Sequence, residues 1–397
     1  MLNLLLSASG HTVDLLSSVF VIFASAKVLA EVFERLGQPA VVGEILAGVL
    51  IGPHALRWVE LTDTTTALAE IGVILLLFNV GLEVRPSEIF KVGKRAMIVA
   101  VGGVVLPFFF GWGLMALWGD TSIRGVFMGA AMVATSVGIT ARVLAGMGLL
   151  GLPTSQIILG AAVIDDILGL LVLSIVASTA SGTINYAEIG LTAGLSIGFT
   201  LFTVLVAGRI INKVRGIVDG MRLGDAYFFF AVMLCLGFSW LATEFNVAPI
   251  IGAFLAGMAL ADLSSEKDFH TQVSAVTEFL VPFFFVSIGL QLDLSVFREP
   301  SVIALAVVAT LVAVATKLIG CGAGAWPLGR RQAMQVGMGM VPRGEVGIIV
   351  AQVGLSLGVL TGSLYGVVVF MAVATTLVAP PMLTRLFAGE ANPNADN

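Results

Sequence analysis

Charge is what this 397-residue sequence has least of: only 11% of it is Asp, Glu, Lys or Arg, against 58% hydrophobic residues. Soluble domains carry about a quarter charged residues, so a soluble protein is excluded. Cysteine is scarce as well. Cys235 and Cys321 each sit inside an apolar run, which rules out a disulfide framework and leaves them as small packing residues. The three histidines, His11, His54 and His270, fall outside the apolar segments or at their ends, so neither a histidine metal cluster nor a histidine proton wire is visible. No Lys or Arg occurs from Met1 to Thr12, so the start is not the basic n-region of a cleaved signal peptide. The net charge of −5 says little, because here the distribution of charge matters more than its sum.

What is present is apolar length. A bilayer core of about 30 Å needs roughly 20 apolar residues per helix. Thirteen segments qualify as candidate helices: 13–36, 40–53, 67–84, 97–118, 125–148, 154–180, 188–211, 225–244, 247–262, 272–292, 301–325, 333–356 and 362–386. The second and ninth are short. Of the 20 Lys and Arg residues, fourteen collect on one side of this arrangement, three (Arg57, Arg124, Arg298) on the other, and Lys27, Lys317 and Arg343 fall inside segments. That bias places the N-terminus outside and the C-terminus in the cytoplasm, and it supports an odd number of spans. Trp58, Trp118 and Trp326 lie at segment ends, as an interfacial belt expects.

The chain also resembles itself. Gly43-Glu44-Ile45-Leu46-Ala47-Gly48 matches Gly252-Ala253-Phe254-Leu255-Ala256-Gly257 at an offset of 209. Glu70 with Gly81-Leu82 matches Glu278 with Gly289-Leu290 at 208. Such an offset spans seven helices, an odd number, so the second copy runs upside down. Inverted repeats are the architecture of many secondary transporters, with the site at the midplane where the copies meet. Helices 1–6 would pair with 8–13, and 188–211 would be the linker helix.

A few ionisable groups sit where lipid should forbid them. Asp165 and Asp166 lie in the middle of an apolar run, where a charge costs about 2.5–3.5 kcal/mol even on the lenient insertion scale. Neighbours on a helix point about 100° apart, so the two can face different partners. Lys317 lies eight residues, or about 12 Å, from the end of its segment near Ala325, too far for a comfortable snorkel. A buried ammonium wants a carboxylate, and the aspartate pair can supply one. Val341-Pro342-Arg343-Gly344-Glu345 interrupts another span and predicts an unwound stretch between two half-helices. Ala134-Thr135-Ser136-Val137-Gly138 stands at about the same repeat offset, so a pair of discontinuous helices crossing at the midplane is expected, with Thr135, Ser136, Pro342, Arg343, Gly344 and Glu345 at the crossing. Arg343 and Glu345 read equally well as an ion pair neutralising helix ends or as part of the transport chemistry. Lys27 and Glu31 are spaced for a local i,i+4 pair. Glu70, Glu278 and Asn79 receive no role.

At Ile164-Asp165-Asp166, Lys317 and Pro342-Arg343-Gly344-Glu345-Val346-Gly347, and over Gly43 to Gly48 and Ala134 to Arg142, the chain resembles the bacterial cation:proton antiporters, most closely the NapA-type sodium/proton exchangers. The resemblance runs over nearly the whole chain. It implies an all-α membrane protein of about 13 spans in inverted six-helix repeats, assembled as a homodimer in the bacterial inner membrane. Residues 13–84 and 225–292 would form a dimerisation subdomain. Residues 97–180 and 301–386 would form an ion-translocation core, and 387–397 a short cytoplasmic tail. Asp166 would bind the cation (Na+, with Li+ as an alternative cargo) or the proton. Asp165 would pair with Lys317 and release it on ion binding, while the core moves like an elevator in an electrogenic cycle that serves pH homeostasis. The protein would be no enzyme, need no resident cofactor and bind no nucleic acid. Its partners would be the bilayer, Na+ or K+, and protons.

The chemistry fits apart from the resemblance. Alkali cations are hard ions that take oxygen ligands, and a carboxylate that holds H+ or a cation but not both couples the two flows. Adjacent aspartates on one helix cannot share a catalytic water, which excludes an intramembrane aspartyl protease. An organic-anion symporter would line its site with donors, and a cation channel with rings of carbonyls or acids. Within the antiporter class, K+ in place of Na+ remains open.

Overall fold

The computed structural model describes residues 2–180, 186–203, 215–216, 218–222, 224–267 and 269–390. These residues form α-helices joined by short turns. In chain order the helices are α1 (Leu2–Arg35), α2 (Ala40–Ile51), α3 (Asp63–Leu82), α4 (Pro86–Leu117), α5 (Ser122–Val133), α6 (Val137–Gly146), α7 (Pro153–Ala180), α8 (Tyr186–Phe202), α9 (Ala226–Glu244), α10 (Pro249–Glu266), α11 (His270–Leu290), α12 (Pro300–Ala325), α13 (Arg330–Gly339), α14 (Glu345–Ser356) and α15 (Gly362–Phe387). A helix lies on each of the thirteen expected segments. Among the described residues, nine stretches are long and apolar enough to cross a membrane; shorter apolar helices lie at Ala40–Ile51, Gly190–Phe202, Pro249–Ser264 and Val346–Ser356. The expected linker helix beyond residue 203 and the tail from residue 391 lie outside the described residues.

Local chemistry sets several helix ends. Thr62 and Thr65 cap α3 reciprocally: the Thr65 amide donates to Thr62 Oγ1 at 3.3 Å and the Thr62 amide to Thr65 Oγ1 at 2.9 Å. Pro86, Pro249 and Pro300 open α4, α10 and α12 from the first turn, where a missing amide costs nothing. Two helix starts depart from the expectation: α1 begins at Leu2 rather than 13, and α4 starts early as well. Helix α4 begins at Pro86 rather than 97 and carries Lys91, Lys94 and Arg95 on its first turns. Hydropathy reads the thickness of the bilayer, whereas a helix can continue past it into the headgroup region.

The helices sort into two packing groups. In the first, α3 packs on α10 and α11, α2 on α1 and α11, and α10 on α9. In the second, α4 packs on α5, α7 and α12, while α15 packs on α12, α13 and α14. The groups meet where α6 touches α2 and α3 and where α15 touches α2. Outward faces are apolar: Phe20, Met233, Trp240, Leu311 and Leu117 are 63% exposed or more.

The first group is held by two glycine crossings. A methyl group added at Gly48 would overlap the backbone of Val286, and one at Gly289 the backbone of Ile45, so α2 and α11 cross backbone to backbone. Gly81 and Gly257 do the same for α3 and α10, against Phe254 and Phe78 respectively. Gly48 corresponds to Gly257, and Gly81 to Gly289, at the repeat offsets of 209 and 208. Each crossing is therefore the image of the other under the sequence match.

Candidate functional site

Both interrupted segments fold as expected. The span holding Thr135 breaks between α5, which ends at Val133, and α6, which begins at Val137. The span holding Pro342 breaks between α13, ending at Gly339, and α14, beginning at Glu345. The unwound stretches cross and hydrogen-bond to each other. The Ser136 amide donates to the Pro342 carbonyl at 2.8 Å, Thr140 Oγ1 to the Gly339 carbonyl at 2.7 Å, and Thr135 Oγ1 to the Met340 carbonyl at 3.4 Å. Gly344 permits the approach, since a Cβ there would lie 2.6 Å from Ser136 Oγ. Broken backbone is tolerated in a membrane only where protein or a cavity satisfies it. The crossing meets that condition, and it brings two half-helix N-termini and two C-termini together.

Arg343 is fully buried, and its guanidinium donates to backbone carbonyls. Nη1 donates to the Val341 carbonyl at 2.7 Å and to the Met340 carbonyl at 3.3 Å, and Nη2 donates to Ala313 of α12 at 3.1 Å. Its backbone is clamped by two residues the sequence reasoning did not single out. The Arg343 amide donates to Thr375 Oγ1 at 3.1 Å, and Thr376 Oγ1 donates to the Arg343 carbonyl at 2.7 Å. The signal for them was there: consecutive threonines in an apolar span, about one repeat offset beyond Asp165-Asp166. The described bonds of the Arg343 guanidinium all go to backbone carbonyls. The Glu345 side chain lies outside the described residues, so the other half of the expected pair does too.

Asp165 and Asp166 lie on the unbroken α7 and face different neighbours, as their 100° separation requires. Lys317 Nζ donates to both carboxylate oxygens of Asp165 at 3.0 Å, and both side chains are wholly buried. Room for the ammonium comes from α4: a Cβ on Gly103 would stand 3.0 Å from Lys317 Nζ and 2.6 Å from Cys321 Sγ. Asp166, 5% exposed, looks the other way. It lines a cavity of about 10 Å³ together with Val137, the first residue of α6, and with Leu77, Ile250 and Phe254 of the first packing group. That volume holds about one water. Nearby in sequence, at the α5–α6 break, Ser136 Oγ is buried without a hydrogen-bond partner. One aspartate is thus committed to a lysine inside the second group, and the other stands on the boundary between groups.

Lys27 corrects an expectation. Glu31 pairs with Arg35, Nη2 to Oε1 at 2.7 Å, and Lys27 Nζ instead lies 3.5 Å from Glu44 Oε1 and 3.7 Å from Glu278 Oε2. Lys27 reaches across to α2 and α11, where buried Glu44 offers a stronger attraction than an exposed Glu31. Glu278 is also gripped by Arg142 of α6. Asn79 Oδ1 accepts from Ser274 Oγ at 3.1 Å, and Glu70 is exposed on α3.

Crossed half-helices around buried, oppositely charged side chains define a multi-pass carrier of the type whose site lies at the midplane. The chain belongs to the sodium/hydrogen exchanger family, whose transmembrane model matches residues 19–389. It is 34% identical to the high-affinity Na+/H+ antiporter NhaS3 of Synechocystis, over 94% of this chain and 90% of that one. It is 33% identical to the Na+/H+-K+ antiporter GerN of Bacillus cereus, over 94% and 96%. Among solved structures, it matches the sodium proton antiporter MjNhaP1 of Methanocaldococcus jannaschii with a TM-score of 0.67 at 16% identity, covering 95% of this chain and 98% of that one.

Proposed function

We propose that the protein exchanges Na+ for protons across the bacterial inner membrane, with Asp166 as the group that carries either ion. The observation that supports this most is the division of labour on α7, where Asp165 is held by Lys317 while Asp166 lines the cavity between the two helix groups. A carboxylate, the Ser136 hydroxyl and unwound carbonyls are the hard oxygen donors an alkali cation takes. Protonation of Asp166 removes the charge that binds the cation, so the two ions compete for one place.

In this reading α4–α7 and α12–α15 form the moving core, and α1–α3 with α9–α11 form the scaffold through which two protomers dimerise. The inverted repeat is supported by the paired glycine crossings. Thirteen spans put the N-terminus outside and the basic loops in the cytoplasm. Core and scaffold slide past each other in an elevator motion along the α6 contacts. Cation binding at Asp166 draws Asp165 away from Lys317, and the lysine re-pairs when protons return. If Lys317 deprotonates in the loaded state, two protons return per Na+. Membrane potential, worth about 2.3 kcal/mol per charge per 100 mV, then drives the exchange.

The test is antiport in proteoliposomes with Na+, Li+ and K+ compared across pH, at voltages clamped by potassium and valinomycin when Na+ is the cargo. Sodium-dependent proton movement whose reversal point shifts with voltage supports the electrogenic cycle, and a reversal point blind to voltage overturns it. K+ is kept as a second cargo because a relative of equal similarity, GerN, carries it in its name.

A further inference from the structure

Among the described residues, one ion pair joins side chains from within a helix of each group, besides the more exposed pair of Arg85, the residue that caps α4, with Asp262 of α10 at 3.6 Å. Arg142 of α6 donates through both arms of its guanidinium to the two carboxylate oxygens of Glu278 on α11, Nη2 to Oε2 at 2.8 Å. On the other side of Glu278, Lys27 of α1 stands 3.7 Å from Oε2 and 3.5 Å from Glu44 Oε1 of α2. Glu44 is only 1% exposed, and its second oxygen is buried without a hydrogen-bond partner. The charges therefore alternate, Arg142, Glu278, Lys27, Glu44. Three belong to the first helix group and one to the second. Beside them lies a pocket of about 420 Å³, lined by Glu34, Gln38, Arg142, Glu278 and Thr384.

We propose that Arg142 and Glu278 form a latch between the two groups, and that Lys27 is the partner to which Glu278 is handed when the latch opens. The inference rests on the sliding motion described above. When the second group moves, it carries Arg142 away and leaves Lys27, Glu44 and Glu278 on the first. With Lys27 present, Glu278 keeps a cation on one side and water on the other, since its side chain is 49% exposed. Without Lys27, departure of Arg142 would strand two neighbouring carboxylates, one of them buried, and their repulsion would hold Arg142 in place. Lys27 thus acts on the rate and extent of release without touching the transported ion. Substitutions at two members of the same cluster should therefore act in opposite directions, which a purely structural ion cluster would not produce.

The experiment uses the full chain in lipid nanodiscs, with spin labels on Leu36→Cys at the end of α1 and Gly146→Cys at the end of α6. A side chain at Gly146 meets nothing within 4 Å. The native Cys235 and Cys321 are buried and are replaced by alanine to keep labelling specific. Distance distributions by pulsed electron spin resonance then report how often the two ends separate. Glu278→Gln should raise the separated population about threefold, as fits loss of a half-exposed bidentate pair. Arg142→Gln should do the same from the other side, so the result does not hang on one variant folding. Lys27→Met should lower the separated population below that of the parent. If Glu278→Gln and Arg142→Gln both leave the distribution unchanged, there is no latch. If Lys27→Met moves it the same way as Glu278→Gln, there is no hand-over. The distances are read without any ion gradient. A parent protein that shows two populations but no exchange therefore counts against the transport reading alone, and one that exchanges with populations unmoved counts against the latch alone.

Discussion

The two helix groups differ in how many of their charges they bury. In the group of α4–α7 and α12–α15, Asp165, Asp166, Lys317 and Arg343 are all at most 5% exposed, deep among apolar neighbours. In the group of α1–α3 and α9–α11, the interior crossings are made by glycine backbones, and, apart from the buried Glu44 that Lys27 approaches, the ion pairs sit toward helix ends and surfaces, as with Arg35–Glu31 and His54–Asp293. Burying an ion pair seldom stabilises a protein better than apolar packing would. A fold seeking only stability would therefore look like the first group throughout. The second carries its charges at a cost in stability, which is where chemistry is to be expected.

The sharpest way to break that contrast is Asp166→Asn, which keeps size and removes the ionisable group. Sodium-driven proton movement in liposomes should vanish while the purified protein keeps its elution volume and melting temperature. Exchange at the parental rate would take the site away from Asp166. Next in size is Lys317→Met, which leaves the Asp165 carboxylate buried alone; losing one partner of a buried pair costs about 3–5 kcal/mol. Its melting temperature should fall steeply, and adding Asp165→Asn should recover part of the loss. Additive effects of the two changes would dissolve the pair. The same logic, applied to a glycine crossing in the first group, predicts a different signature. Gly257→Ala drives a methyl into the Phe78 backbone and should cost about 1–3 kcal/mol, with no change in the apparent sodium affinity of whatever protein folds. An altered affinity would show that the first group is more than a support. Smallest of all, Arg35→Gln removes a pair exposed at 78% and 56% and should change stability by no more than about 0.5 kcal/mol.

The core and site were legible to different degrees. The aspartate pair, the membrane lysine and both helix breaks stood out because each violates a simple rule, charge in lipid or proline and glycine within a span, and the structure brings Asp165 and Lys317 together at 3.0 Å. The Lys27–Glu31 assignment went wrong because spacing along one helix sees only local partners, whereas Glu44 and Glu278 arrive from other helices. Thr375 and Thr376 were passed over for a related reason: a hydroxyl in a span normally bonds back to its own helix, and Thr376 does so to Ala372 at 2.8 Å while also reaching Arg343. Arg343 gave an even choice on sequence. Its bonds to three backbone carbonyls become visible only once the crossing is assembled, because two come from the unwound stretch and one from α12.

The stitching of the two broken helices has a consequence for leakiness. Ser136 bonds Pro342 and Thr140 bonds Gly339, so the crossing cannot open by one half-helix shifting alone. In the proposed elevator motion, a core stitched in this way would carry the ion's surroundings with it. Under that proposal, slippage would come from an empty core making the trip, with Asp166 neither protonated nor loaded beside the apolar wall of Leu77, Ile250 and Phe254. In the same reading, that wall would be the safeguard against a futile cycle. Widening it with a polar side chain is the change that would turn a tightly geared exchanger into a dissipative one.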